Sequence, residues 1–113
     1  MAITPQRVRE LVGALDGAQE GAHHGHPDFR IRKTKIFATL SEKEDRAALR
    51  LTATEARALA ERSPSVFRLV SDREPIGWVS VLLSAADETE FGDLLEEAHA
   101  LRASEPQGSG RRK

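Results

Sequence analysis

The chain has 113 residues, 39% of them hydrophobic and 31% charged, which suits one folded domain and excludes wholesale disorder. A formal net charge of −1 argues against a strong non-specific polyanion binder, and the absence of cysteine excludes disulfides, thiolate metal sites and a cysteine nucleophile. No apolar run approaches the ~20 residues of a membrane span, and the opening MAITPQRVRELV lacks the apolar stretch of a signal peptide, so a cytoplasmic protein without membrane contact is expected.

In chain order, Thr4 and Pro5 suit the N-cap and first position of a helix over 5–15, with Val8, Leu11, Val12 and Leu15 as its apolar stripe. Residues 18–23 form a weak strand candidate. Residues 28–32 alternate, with Phe29 and Ile31 on one face and Arg30 and Arg32 on the other. Lys33-Thr34 is the predicted turn of a β-hairpin, although neither is the Gly or Asn that tight hairpins prefer, and residues 35–40 return. After a polar loop, residues 46–51 form a strand with Ala47, Leu49 and Leu51 inward. Thr52-Ala53-Thr54-Glu55 reads as a capping box opening a helix to about Arg62, halted by Ser63-Pro64. Strands follow at 66–70 and 78–83. Asp87 caps a last helix whose Phe91, Leu94, Leu95, Ala98 and Leu101 share one face. The order α-β-β-β-β-α-β-β-α predicts one α+β domain over 1–104, an antiparallel sheet with helices on one face. Residues 105–113, EPQGSGRRK, have the composition of a disordered tail.

The charge is unevenly spread. Residues 1–35 hold six Lys/Arg against four Asp/Glu, whereas 85–105 hold one Arg against seven acids. A basic hairpin and an acidic last helix are therefore hidden within the overall −1.

The block GHPDFRIRKTKIFATL, with the strand ALRLT, the helix TEARALAER, the strand GWVSVLL and the helix EFGDLLEEAHALR, resembles the MmcQ/YjbR family over about residues 4–102. Thr34 departs from the pattern, since the family often has Gly there, and so does the charged segment 71–75 before Gly77. The resemblance implies a bacterial protein with a fold like that of CyaY, the bacterial frataxin, and a DNA-binding role. It supplies no catalytic motif, and frataxin's iron chemistry does not transfer on fold alone.

The uncovered sheet face is the first candidate site. With Phe29, Ile31, Ala47, Leu49, Leu51, Val79 and Val81 inward, Arg30, Arg32, Arg46, Arg50, Trp78 and Ser80 face outwards, joined by Lys35, Phe37 and Thr39 if Ile36, Ala38 and Leu40 are core, whereas a one-residue register slip moves Phe37 into the core. Arginine pairs phosphates and aromatic rings stack bases, so Arg30, Arg32, Lys33, Lys35, Arg46, Arg50 and Trp78 are the predicted nucleic-acid contacts. The competing reading is a solvated face on which arginine stems cover the aromatics. A second candidate is His23, His24 and His26 with Asp28, all adequate ligands for Zn²⁺, Ni²⁺ or Fe²⁺, although Gly25 and Pro27 break the regularity and plain loop histidines are the expectation. The acidic residues Asp87, Glu88, Glu90, Asp93, Glu96 and Glu97 read mainly as a solvated helix face. No serine lies in a G-x-S-x-G context and the glycines form no phosphate loop, so no enzyme activity, cofactor or metal is expected. The leading expectation is a non-enzymatic DNA-binding module. The alternative is an adaptor for another protein or a small anionic ligand, and in either case a monomer or weak homodimer.

Overall fold

The computed structural model describes residues 3–23 and 26–105. Thr4 Oγ1 accepts a hydrogen bond from Arg7 N (3.1 Å), capping α1 (Pro5–Gly13). Six strands follow in two groups: β1 (Ala18–His23), β2 (His26–Ile31), β3 (Lys35–Ser41) and β4 (Arg46–Thr52), then β5 (Phe67–Ser71) and β6 (Ile76–Leu82). Between the groups lies α2 (Ala53–Arg62), and α3 (Glu88–Ser104) closes the fold after one 3-10 turn at Leu83–Ala85. The predicted element order and fold class are those observed. Residues 106–113 of the expected tail lie outside the described residues, and Glu105 is tied to the domain by Arg50 and Arg102.

The caps form where the sequence places them. Thr52 Oγ1 accepts from Glu55 N (3.1 Å) and Asp87 Oδ2 accepts from Glu90 N (2.9 Å). The sheet is antiparallel throughout, in the order β1-β2-β3-β4-β6-β5. Its two groups join at β4 and β6, where Ala47 faces Val81 and Leu49 faces Val79. These side chains point to the helix side and are buried with Phe29, Phe67, Phe91, Leu94 and Leu95. Helix α2 lies on β5 and β6, α3 on β3 and β4, and α1 on β1. Sheet strands with one face buried need a fixed register, because a one-residue slip would exchange the two faces.

Such a slip occurs inside β3. Phe29 pairs with Ala38 but Arg30 pairs with Ile36, so Phe37 is an extra residue in a β-bulge. On the far side of the bulge Ala38 and Leu40 point into the core as expected, while Thr39 and Ser41 point away. On the near side the faces exchange. Phe37 and Lys35 are buried, and Ile36 is half-buried opposite Arg30. The Phe37 ring meets the His99 ring of α3 edge-on at 5.4 Å. The expectation that Lys35 and Phe37 lie on the uncovered face is corrected by this bulge.

Pairing of β3 with β4 stops at Ala38↔Leu49, next to the bulge. Arg102 of α3 donates from Nε to the carbonyl of Ile36 (3.2 Å), and Glu105 accepts from both Arg50 (2.7 and 3.1 Å) and Arg102 (2.7 Å). Burial by itself would raise the Glu105 carboxyl, but hydrogen bonds from the two guanidinium groups and their charges outweigh it and hold it below the usual range. No helix among the described residues is long and apolar enough to cross a membrane.

Candidate nucleic-acid interface

Among the described residues, the face opposite the helices is covered by none of the α-helices, and the register assigns its occupants row by row. Thr39 lies beside Ala48, Ala48 beside Ser80, and Ser80 beside Arg68. The next row runs from Ser41 through Arg46 to Leu82, and another pairs Arg50 with Trp78. Ala48 is the smallest side chain of these rows apart from glycine, so the sheet dips at that point. The dip is a depression of about 190 Å³ lined by Thr39, Ser41, Arg46, Ala48, Arg68 and Ser80, and also by the carboxylate-bearing Glu44 and by Val70.

The seven predicted contacts divide into those still available and those already engaged. Arg30 does face this side, but the Asp28 carboxylate grips it twice, accepting from Nε (2.8 Å) and Nη2 (2.6 Å), while Nη1 donates to the Lys33 carbonyl (2.8 Å). Asp28 is fully buried, and a methyl group at Gly21 would lie 2.9 Å from Arg30 Nε, so the guanidinium rests directly on the β1 backbone. The Asp28 hydrogen bond is the main reason that Arg30 holds its proton more tightly than usual. Arg50 is bound to Glu105 with its side chain 12% exposed. Lys35 is buried and already engaged within the protein.

Arg32 is not a strand residue: β2 ends at Ile31, and Arg32 and Lys33 form the turn with φ of 55° and 70°. Both are exposed, so they stand at the hairpin tip and not on the sheet face. Arg46 and Trp78 are half-buried on the uncovered face as expected. The structure thus breaks the predicted patch into a hairpin tip and a separate region around Arg46.

Arg68 belongs to that region and was missed by the sequence reading. Its signal was present, since Phe67 and Leu69 alternate inward in β5 and leave Arg68 outward beside Ser80. Arg46 Nε donates to Ser80 Oγ (2.7 Å). Partial burial, then the charge of Arg68, make the Arg46 proton easier to lose than usual, against weaker opposing effects of Glu44 and Asp45. The guanidinium nevertheless stays charged at neutral pH.

The histidines, expected in a loop, lie in strands at two of their three positions, His23 ending β1 and His26 opening β2. His23 and His26 are opposite residues of the β1–β2 ladder, His26 is exposed, and His24 lies outside the described residues. Asp28, the carboxylate expected to complete the set, is held by Arg30. Among the described residues no three His, Cys, Asp or Glu side chains gather as metal ligands. The acidic residues of α3 are partly engaged: Glu88 pairs with Arg7 and Glu90 with Arg62.

The model of the YjbR family matches residues 13–101, most of the domain. The chain belongs to the YjbR family. No curated protein matches the sequence. The crystal structure of Deinococcus radiodurans protein DR2400, which carries the domain DUF419, superposes with a TM-score of 0.79 at 17% identity, covering 89% of this chain and 79% of that one. At that identity the likeness establishes the shared fold alone. YjbR membership therefore fixes the scaffold, and the chemistry of this member rests on the side chains just described.

Proposed function

We propose that the protein is a non-enzymatic module of the cytoplasm that binds DNA by phosphate contacts on its uncovered sheet face and adjoining hairpin tip. The observation that carries this reading is the division of the molecule into two sides. The helices occupy one, and the other presents Arg46, Arg68 and Trp78 to solvent, with Arg32 and Lys33 at the hairpin tip. Among the described residues Arg32, Lys33 and Arg68 have no carboxylate within ion-pair distance. Guanidinium groups bind phosphate oxygens in pairs, and the Trp78 ring offers a stacking surface for an unpaired base.

With Arg30, Arg50 and Lys35 withdrawn, Arg32, Lys33, Arg46 and Arg68 are the cations of the described face and hairpin tip, and four phosphate contacts from them make log K fall with log salt at a slope of about −3.6 for duplex DNA. Fluorescence anisotropy of labelled duplex and single-stranded DNA at two salt concentrations tests this. The expected result is micromolar binding whose slope becomes shallower by about one unit in Arg68→Gln. Lack of salt-dependent binding at tens of micromolar protein removes the reading.

A second reading, an adaptor for another protein, is favoured by Val70. It is the large apolar side chain left exposed (60%) among the described residues, and it stands at the irregularity of edge strand β5. Retention of a protein partner by the wild type but not by Val70→Lys, with no DNA affinity in either, would favour it.

A further inference from the structure

The depression around Ala48 has a composition more specific than a general cationic surface. Two guanidinium groups approach it with no carboxylate within ion-pair distance among the described residues. Three hydroxyls, those of Thr39, Ser41 and Ser80, line it as well. Ser41 Oγ is the buried side-chain polar atom that lacks a hydrogen-bond partner among the described residues, an unfavourable condition that a bound acceptor would relieve. Ser80 Oγ accepts from Arg46, which leaves its own proton to donate.

We propose that this depression is a binding site for one phosphate monoester dianion, held between Arg46 and Arg68 and hydrogen-bonded by the surrounding hydroxyls. Two like charges line one depression: burial first, and then the charge of Arg68, loosen the proton of Arg46. A dianion relieves that repulsion and neutralises both groups, whereas a phosphodiester brings one charge and fewer terminal oxygens. Glu44, which also lines the depression, opposes any anion, so net attraction depends on both arginines together. A volume near 190 Å³ is below the roughly 300–1,000 Å³ of pockets that enclose drug-sized ligands, so it suits the phosphoryl group and not the whole of a larger molecule. The second phosphate pKa lies near 6, so the preferred species predominates at neutral pH.

The site does not rest on the DNA-binding reading, and the following titration, read beside the DNA anisotropy assay, separates the two. Arginine Nε–Hε resonances are followed by NMR at about pH 7.5 during titration with phenyl phosphate, dimethyl phosphate and inorganic phosphate. Arg46 and Arg68 should shift saturably with phenyl phosphate and with inorganic phosphate, and dimethyl phosphate should bind at least about tenfold more weakly. Arg68→Gln removes an exposed side chain that makes no hydrogen bond among the described residues, so it should fold normally and lose at least about tenfold in monoester affinity. Absence of a saturable shift, equal affinity for the diester, or unchanged affinity in Arg68→Gln would overturn the proposal. Monoester binding without DNA binding removes only the DNA reading, and the reverse result removes only this site.

Discussion

A side chain's place on a face does not decide whether it is available. Arg30 and Arg68 both point to the uncovered side, yet the first is gripped by Asp28 and the second has no ion-pair partner among the described residues. The Asp28–Arg30 pairing went unread, Asp28 being assigned to the histidines, although residues two apart on a strand share a face. The conformation of the hairpin tip was legible only in part. Lys33-Thr34 marked the turn, but the left-handed backbone falls on Arg32 and Lys33, residues whose Cβ disfavours it. Replacing Lys33 by Gly removes that conflict, so Lys33→Gly should stabilise the fold by about 0.5–1 kcal/mol in chemical denaturation. A loss of stability would show that the Lys33 side chain has a packing role which its exposure does not suggest.

Capped helices and alternating strands were readable because each is fixed by local chemistry: Thr4, Thr52 and Asp87 cap as residue types, and Leu49 and Val79 bury by period. The β3 bulge was not readable. Ile36-Phe37-Ala38 is an apolar run without glycine or proline, so alternation does not say which of Ile36 and Phe37 turns inward; in the fold Phe37 does, against His99, which is distant in sequence. That one choice withdrew Lys35 and Phe37 from the predicted surface. Close packing of α2 on β6 has a clearer residue signature. A Cβ at Gly77 would stand 2.8 Å from Ala53 Cα and 2.8 Å from Ala56 Cβ, so the GWVSVLL strand needs its glycine for approach to the helix. Gly77→Ala should therefore cost about 1–3 kcal/mol, read as a lower denaturation midpoint, whereas a neutral result would mean that α2 can move outward freely.

Across the molecule the folded state is coupled to pH by carboxylates at both sides of the core. Partial burial, followed by hydrogen bonding to Glu97 and its charge, pushes Glu55 up from the ordinary 4.5 to about 7. Its folded state therefore holds the proton more tightly than the unfolded chain, and stability falls as pH rises from about 4.5 to 7. Glu105 behaves oppositely: its carboxyl is held low, so its contribution is present above the ordinary carboxylate range and is lost as pH falls through its lowered value. Thermal melts should show a falling Tm between about pH 5 and pH 8, and Glu97→Gln should flatten that decline by removing the like charge. An equally steep decline in the variant would remove Glu55 as its cause. The same two-sided architecture, with a packed helix side and an uncovered basic side, carries the functional account. Its most direct test is amide NMR mapping during titration with a short DNA duplex at low salt. The account predicts shifts at Lys33, Thr39, Arg46, Arg68 and Ser80 and at the Trp78 indole, with the exposed Ala58 of α2 and Glu96 of α3 unmoved. Shifts concentrated on α2 and α3, or none at all, would contradict it.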